Sequence, residues 1–294
     1  MHEYSVSIIS IGKQDLEAYP DTISQFWLKI EDMKSLYLHN QHFQSNIEKV
    51  AAEHQIMCWK KSRGDGNCYF RAVISTYFLS LCKPYTPVQL LSDFYNYVQK
   101  LSTSSANYDY EEAKTFILKQ LVELYNLKYS GQKIQAYELA LKLTQNREFD
   151  LNLVRISRLA TCNEILRVQF DDDFSFLFID GVDSIIYDVL EMGKEGGDHS
   201  LVFLPNALGI QVVQFMFLDQ PQMSVQKFPE NMPQGGSIVI RIVRRSGHYD
   251  ILVGIQEFEM DQVDIDNGNY CFILNLNDSL DDEFYRNFQS IPAN

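Results

Sequence analysis

The sequence predicts an α+β fold. Three observations carry this. Apolar residues recur at helical spacing through most of residues 87–192. The last third is rich in β-branched and aromatic residues, at 210–218, 237–243, 248–255 and 269–276, with turns at Gly235-Gly236 and Ser246-Gly247. Ahead of both, Ile56-Met57-Cys58-Trp59 reads as a strand feeding Gly64-Asp65-Gly66-Asn67, and a helical pattern follows through Phe70, Val73, Ile74, Tyr77, Phe78 and Leu81.

Taken in order, Tyr4 to Ile11 mostly alternates and predicts a strand or an arm. Pro20-Asp21 starts a helix whose apolar stripe is Ile23, Phe26, Trp27, Ile30, Met33 and Tyr37. A second helix runs through Phe43, Ile47 and Val50. After the helix that opens at Cys68, Lys83-Pro84-Tyr85 is a loop. In Thr86-Pro87-Val88-Gln89, Thr86 caps a helix, Pro87 takes its first position and Gln89 closes a capping box. The helical region breaks near 102–108, at Ser130-Gly131, at Asn146 and at Gly181. The run 201–208 has a helical pattern, but Pro205 inside it leaves helix and break both open. There is no internal repeat, low-complexity tract or linker.

A chain of 294 residues suffices for one large domain or two small ones. The formal charge of −14 argues against a basic nucleic-acid footprint. It suits basic protein partners or serves solubility. Five cysteines, an odd number without Cys-x-x-Cys, imply reduced thiols and a cytoplasmic setting. Met1-His2-Glu3-Tyr4 has no basic region of the kind that opens a signal peptide. No apolar run approaches the roughly 18–20 residues of a membrane span.

Cys68 stands where the Gly-Asp-Gly-Asn turn becomes a helix. The free N–H groups and positive dipole end of a helix favour a thiolate there. Gly64 and Gly66 permit close approach to the backbone, and the N–H groups of residues 65–68 can converge on a developing oxyanion. A thiolate needs a base. His248 and Asp250, two apart on a strand, share one face. Asp250 can hold one ring nitrogen of His248 and leave the other for the thiol, the logic of nucleophile, base and orienter. A solvent-facing carboxylate is the alternative for Asp250.

Gly64-Asp65-Gly66-Asn67-Cys68-Tyr69-Phe70-Arg71-Ala72 resembles the catalytic turn of the ovarian-tumour (OTU) cysteine proteases, which are deubiquitinases. Gly247-His248-Tyr249-Asp250-Ile251-Leu252 resembles their histidine strand. The otubain branch is the most similar, through Trp59-Lys60-Lys61-Ser62-Arg63, Asp198-His199 and Ala207-Leu208-Gly209-Ile210-Gln211-Val212. Tyr69-Phe70 departs conservatively from the Phe-Tyr usual there. The resemblance covers roughly residues 35–255. It implies a papain-like OTU fold, with a central mostly antiparallel sheet, a catalytic helix on one side and a large helical region. It implies an N-terminal extension over 1–34, a catalytic domain over 35–255 and an acidic extension over 256–294. It also implies a monomeric deubiquitinase without metal or cofactor, acting in its own cytosol or in that of a host. Its partners would be ubiquitin and polyubiquitin chains. Cys68 would be nucleophile, His248 base and acid, Asp250 its orienter, and Asp65 part of the oxyanion loop. A regulator that binds ubiquitin or a ubiquitin-conjugating enzyme without catalysis is the alternative, and a ubiquitin-like modifier is a further one.

Other candidates read as structural. Asn67 and Arg71 order the turn and the helix, and the Asp65 side chain caps the turn. His199 is a loop or cap histidine. His39 and His42, three apart, lack a third metal ligand and read as a solvated helix face. Asp171-Asp172-Asp173 lacks the spaced oxygen ligands of a calcium loop and reads as a charged loop. Gly193-Lys194-Glu195-Gly196-Gly197 lacks the Gly-Lys-Ser/Thr order of a phosphate loop. Cys58, Cys82, Cys162 and Cys271 lack a turn-to-helix setting and are expected to be inert.

Overall fold

A computed structural model describes residues 20–179, 181–217, 223–233, 238–245 and 247–254, together with the backbone of residues 8–9. Strands β1 (Ile8–Ile9), β2 (Trp27–Lys29), β3 (Ile56–Lys60), β4 (Gln211–Phe217), β5 (Ser224–Phe228), β6 (Val239–Arg245) and β7 (His248–Gly254) form one sheet. Its order is β1-β2-β3-β7-β6-β4-β5. β1 with β2 and β4 with β6 are parallel. The other pairs are antiparallel, so the sheet is mostly antiparallel as expected. The predicted strand at 269–276, the acidic tail and Cys271 lie outside the described residues.

The alternating strands give the sheet two covered faces. On one, Leu28, Trp59, Phe215, Val243 and Leu252 pack with Phe43, Ile47 and Val50 of α1 (Gln41–His54) and with Ile30 and Met33 of a 3-10 helix over Ile30–Tyr37. On the other, Ile240, Ile242, Tyr249 and Ile251 meet α2 (Cys68–Cys82). Around α2 stand α3 (Val88–Lys100), α4 (Tyr108–Tyr129), α5 (Lys133–Gln145), α6 (Arg147–Val168), α7 (Val182–Leu190) and α8 (Gly197–Leu208). These form the helical region. The breaks expected near 102–108, 130–131, 146 and 181 all separate helices. Among the described residues no helix is long and apolar enough to cross a membrane.

Three expectations are corrected, and one strand was not foreseen. The stripe beginning at Ile23 is not one helix. Ile23 bridges Ser62, Trp27–Lys29 pairs with β3, and only Ile30–Tyr37 is helical, as 3-10 turns. Pairing with the open side of β3 outweighs helical spacing there, and the Trp59 indole N–H fixes it by donating to the Lys29 carbonyl at 3.0 Å. Thr86 does not cap α3. Its hydroxyl donates to the Ser80 carbonyl at 2.7 Å, while Pro87 precedes the helix. The buried Lys128 ammonium closes the same corner by donating to the carbonyls of Leu81, Lys83 and Thr86. The Asp171–Asp173 run is not a plain charged loop, because Asp171 caps a 3-10 helix over Asp172–Phe178. β5 escaped the sequence because its middle residues, Val225, Gln226 and Lys227, are exposed on a sheet edge.

The open question at Pro205 resolves as helix. α8 continues through Pro205 and ends at Gly209, whose φ of +64° lets the Ile210 N–H return to the Pro205 carbonyl at 3.1 Å. The lost N–H bond falls near the helix end, where it disturbs little.

Candidate active site

The turn before α2 is built from both sides. The segment at 22–24 hydrogen-bonds the backbone of 61–63, through Ser24 N to Lys61 O and Arg63 N to Thr22 O, each at 2.8 Å. Gly66 has a φ of +76°, and a Cβ added there would stand 1.7 Å from the Gly193 carbonyl oxygen. Only glycine fits this crossing. The loop 191–196 therefore lies against the turn, which places the Gly193–Gly197 stretch beside Cys68 rather than on an independent surface.

Two buried arginines lock the turn. The Arg71 guanidinium forks onto Asp65 at 2.7 and 2.9 Å, and its Nε–H is shared by both oxygens of Asp150 at 2.8 and 3.0 Å. Asp65 also accepts the Asn67 N–H at 3.1 Å, an Asx turn. Burial opposes ionisation of Asp65, but Arg71 and Asn67 together hold its carboxyl below the usual range. Arg158, over the Phe70 ring at 4.1 Å, donates to Asn67 Oδ1 at 2.8 Å, to Val189 O at 2.7 Å and to Lys194 O at 2.6 Å. Gly193 N also donates to Asn67 Oδ1. Asn67 and Arg71 thus order the turn through side chains. The N–H groups of Asp65, Gly66 and Cys68 have no acceptor among the described residues, so they are available to an oxyanion.

Cys68 is the first residue of α2 and is nearly fully buried. The Cys68 thiol lies on one side of the His248 ring, close enough to help raise its proton affinity. On the other, His248 Nε2 lies 2.9 Å from Asp250 Oδ1. The Asp250 carboxylate is completely buried, so it does not face solvent. Oδ1 also accepts the Ser62 N–H at 2.9 Å, and Oδ2 accepts Arg245 Nε at 2.9 Å and a second Arg245 N–H. Burial opposes ionisation of Asp250, but Arg245, His248 and Ser62 hold its carboxyl below its usual value. Burial likewise pulls His248 down, yet the contacts with Asp250 and Cys68 win and raise it from 6.5 to about 9. Stability from this raised group is complete below pH 6.5 and is lost as pH rises through about 9.

Cys68, His248 and Asp250 thus converge, with the Asp65 turn beside them. Such a set can deprotonate the thiol, hold an imidazolium and return its proton. The other candidates stand apart. His199 Nε2 bonds the Leu177 carbonyl at 2.8 Å. His39 and His42 are exposed, and His39 precedes α1. Burial pushes the Cys82 and Cys162 thiols up to about 12 and raises Cys58 as well. Sequence reasoning missed Arg245, Ser62, Asp150 and Arg158. Arg245 had a signal: it shares a strand face with buried Val243 and pairs with His248 across the hairpin.

A mostly antiparallel sheet, a helix opening on a thiol and a strand carrying His-x-Asp define the papain-like cysteine-peptidase fold. The sequence profile of the otubains, peptidase C65, matches residues 16–254. The chain belongs to the otubain family. A structure described as a ceOTUB1–ubiquitin aldehyde–UBC13~Ub complex superposes with a TM-score of 0.63 at 15% identity, over 82% of this chain and 96% of that chain. The h/ceOTUB1–ubiquitin aldehyde–UBC13~Ub complex gives 0.60 at 15%, over 79% and 89%. The corresponding complex with UBCH5B~Ub gives 0.59 at 15%, over 79% and 88%. A search of curated proteins finds no match.

Proposed function

We propose that the chain is a thiol-dependent deubiquitinase that cleaves isopeptide bonds between the ubiquitin C-terminal glycine and a lysine amine. The observation that carries this reading is His248, hydrogen-bonded to the buried Asp250 and coupled to the Cys68 thiol at the mouth of α2. Cys68 attacks the glycine carbonyl carbon as its proton passes to His248. The free N–H groups of Asp65, Gly66 and Cys68 receive the oxyanion. His248 returns the proton to the departing lysine amine, leaving a thioester. Water, deprotonated by His248, then hydrolyses the thioester and releases the ubiquitin carboxylate and the free thiol. Asp250 keeps the ring oriented throughout. Otubain membership and superposition on OTUB1 bound to ubiquitin aldehyde support ubiquitin as the modifier.

A panel of diubiquitins tests the reading. Wild type is expected to cleave at least one linkage, and Cys68→Ala none. A folded wild type that cleaves neither ubiquitin conjugates nor ubiquitin-like conjugates would overturn it. A second reading has its own observation: the similar complexes also contain ubiquitin-loaded UBC13 or UBCH5B. On that reading the chain restrains a conjugating enzyme without catalysis, and Cys68→Ala would keep the whole effect.

A further inference from the structure

The Arg245 guanidinium hydrogen-bonds neither Cys68 nor the His248 ring, yet it is tied to the base more closely than packing needs. Its guanidinium is almost completely buried at the end of β6, one strand from His248. Nε and a terminal N–H both bind Asp250 Oδ2, the oxygen that His248 does not use. The far nitrogen donates to the Tyr37 hydroxyl at 2.7 Å. The guanidinium lies over the Tyr37 and Trp59 rings, at 5.8 and 5.6 Å. Hydrogen bonds therefore run Tyr37–Arg245–Asp250–His248, with the Cys68 thiol on the far side of the ring. The outer end of this line belongs to the 3-10 helix over Ile30–Tyr37, on the sheet face opposite α2.

We infer that Arg245 is a positioning residue for the reaction proposed above: it fixes the plane of the Asp250 carboxylate and shares its charge, which limits how tightly His248 holds a proton. The physical argument has two parts. A buried carboxylate gripped on one edge only would rotate, and the fork on Oδ2 leaves Oδ1 for the imidazole and the Ser62 N–H. A lone buried carboxylate would also bind imidazolium too strongly for easy proton return, and the adjacent guanidinium offsets part of that field. The charge sign is unambiguous. Removing a cation raises the proton affinity of the coupled Asp250–His248 pair, whichever atom carries the proton. Among the described residues, other charged or titratable groups near this pair include Cys68 on α2, Arg244 on β6, Tyr249 on β7, and Glu195 and Asp198 around Tyr249.

The test follows the His248 ring titration by NMR in the full chain, a readout that requires no ubiquitin, beside kcat and KM on a ubiquitin substrate. Arg245→Met is expected to move the His248 titration upward by about half a unit or more. It should also lower kcat about ten-fold or more with KM little changed. Arg245→Lys keeps the charge and loses the fork, so the titration should stay near wild type while kcat remains reduced. Tyr37→Phe, which leaves the charge and the stacked ring in place, should cost kcat a few-fold without moving the titration. An unmoved His248 titration in folded Arg245→Met would overturn the inference. So would wild-type kcat in Tyr37→Phe, which stands as the deciding variant if Arg245→Met does not fold. Loss of ubiquitin cleavage in wild type itself would count against the proposed function and leave the titration arm to judge Arg245.

Discussion

His248→Ala is expected to lower kcat on ubiquitin conjugates by about four to six orders of magnitude, with KM little changed. The His248 ring is coupled to the Cys68 thiol and held by Asp250, as a general base must be. The residual rate would come from binding and the oxyanion N–H groups. Cys68→Ala and the double variant should be no slower than the slower single variant, because the two groups act as one unit. The same substitution has a second signature. The stability lost in wild type as pH rises through about 9 should be absent in His248→Ala, as read from denaturant midpoints against pH. An equal slope in both proteins would mean that the raised histidine is not what the thiol and carboxylate hold.

The largest stability effect is expected at Arg71. It is fully buried and joins Asp65 on the turn to Asp150 on α6. Arg71→Met would strand the buried Asp150 carboxylate and leave Asp65 with the more distant Arg63, at 3.6 Å. Breaking such a buried pair costs about 3–5 kcal/mol. For a chain of 294 residues that corresponds to a melting temperature lower by roughly 5–8 °C. Adding Asp150→Leu and Asp65→Asn removes the stranded charges and should return much of the melting temperature. Activity should stay low, because Asp65 would no longer accept a fork that fixes the turn. Recovery of both stability and activity would show that the cluster only fills space.

How much of this was legible depends on whether a residue's role is local. The turn at Gly64–Asn67, the helix at Cys68 and the His-x-Asp strand are local patterns, and each stands where its spacing put it. The helical region was equally readable, since its breaks coincide with Gly, Ser and Asn. The segment 21–37 was misread because its fate is set by β3, which lies further along the chain. β5 was missed because an edge strand need not be apolar. Arg245, Asp150 and Arg158 were hidden for a related reason. A buried arginine looks like any surface cation until Asp250, Asp65 or Asn67 is seen beside it, and the sequence separations that matter reach 91 residues for Arg158 and Asn67.

The most direct measurement is a reaction of the intact chain with ubiquitin carrying a C-terminal electrophile, followed by mass spectrometry of the adduct. The proposed chemistry predicts one ubiquitin added to wild type and mapped to Cys68, and none added to Cys68→Ala. An adduct on Cys58, Cys82 or Cys162, or no adduct from folded wild type, would contradict it.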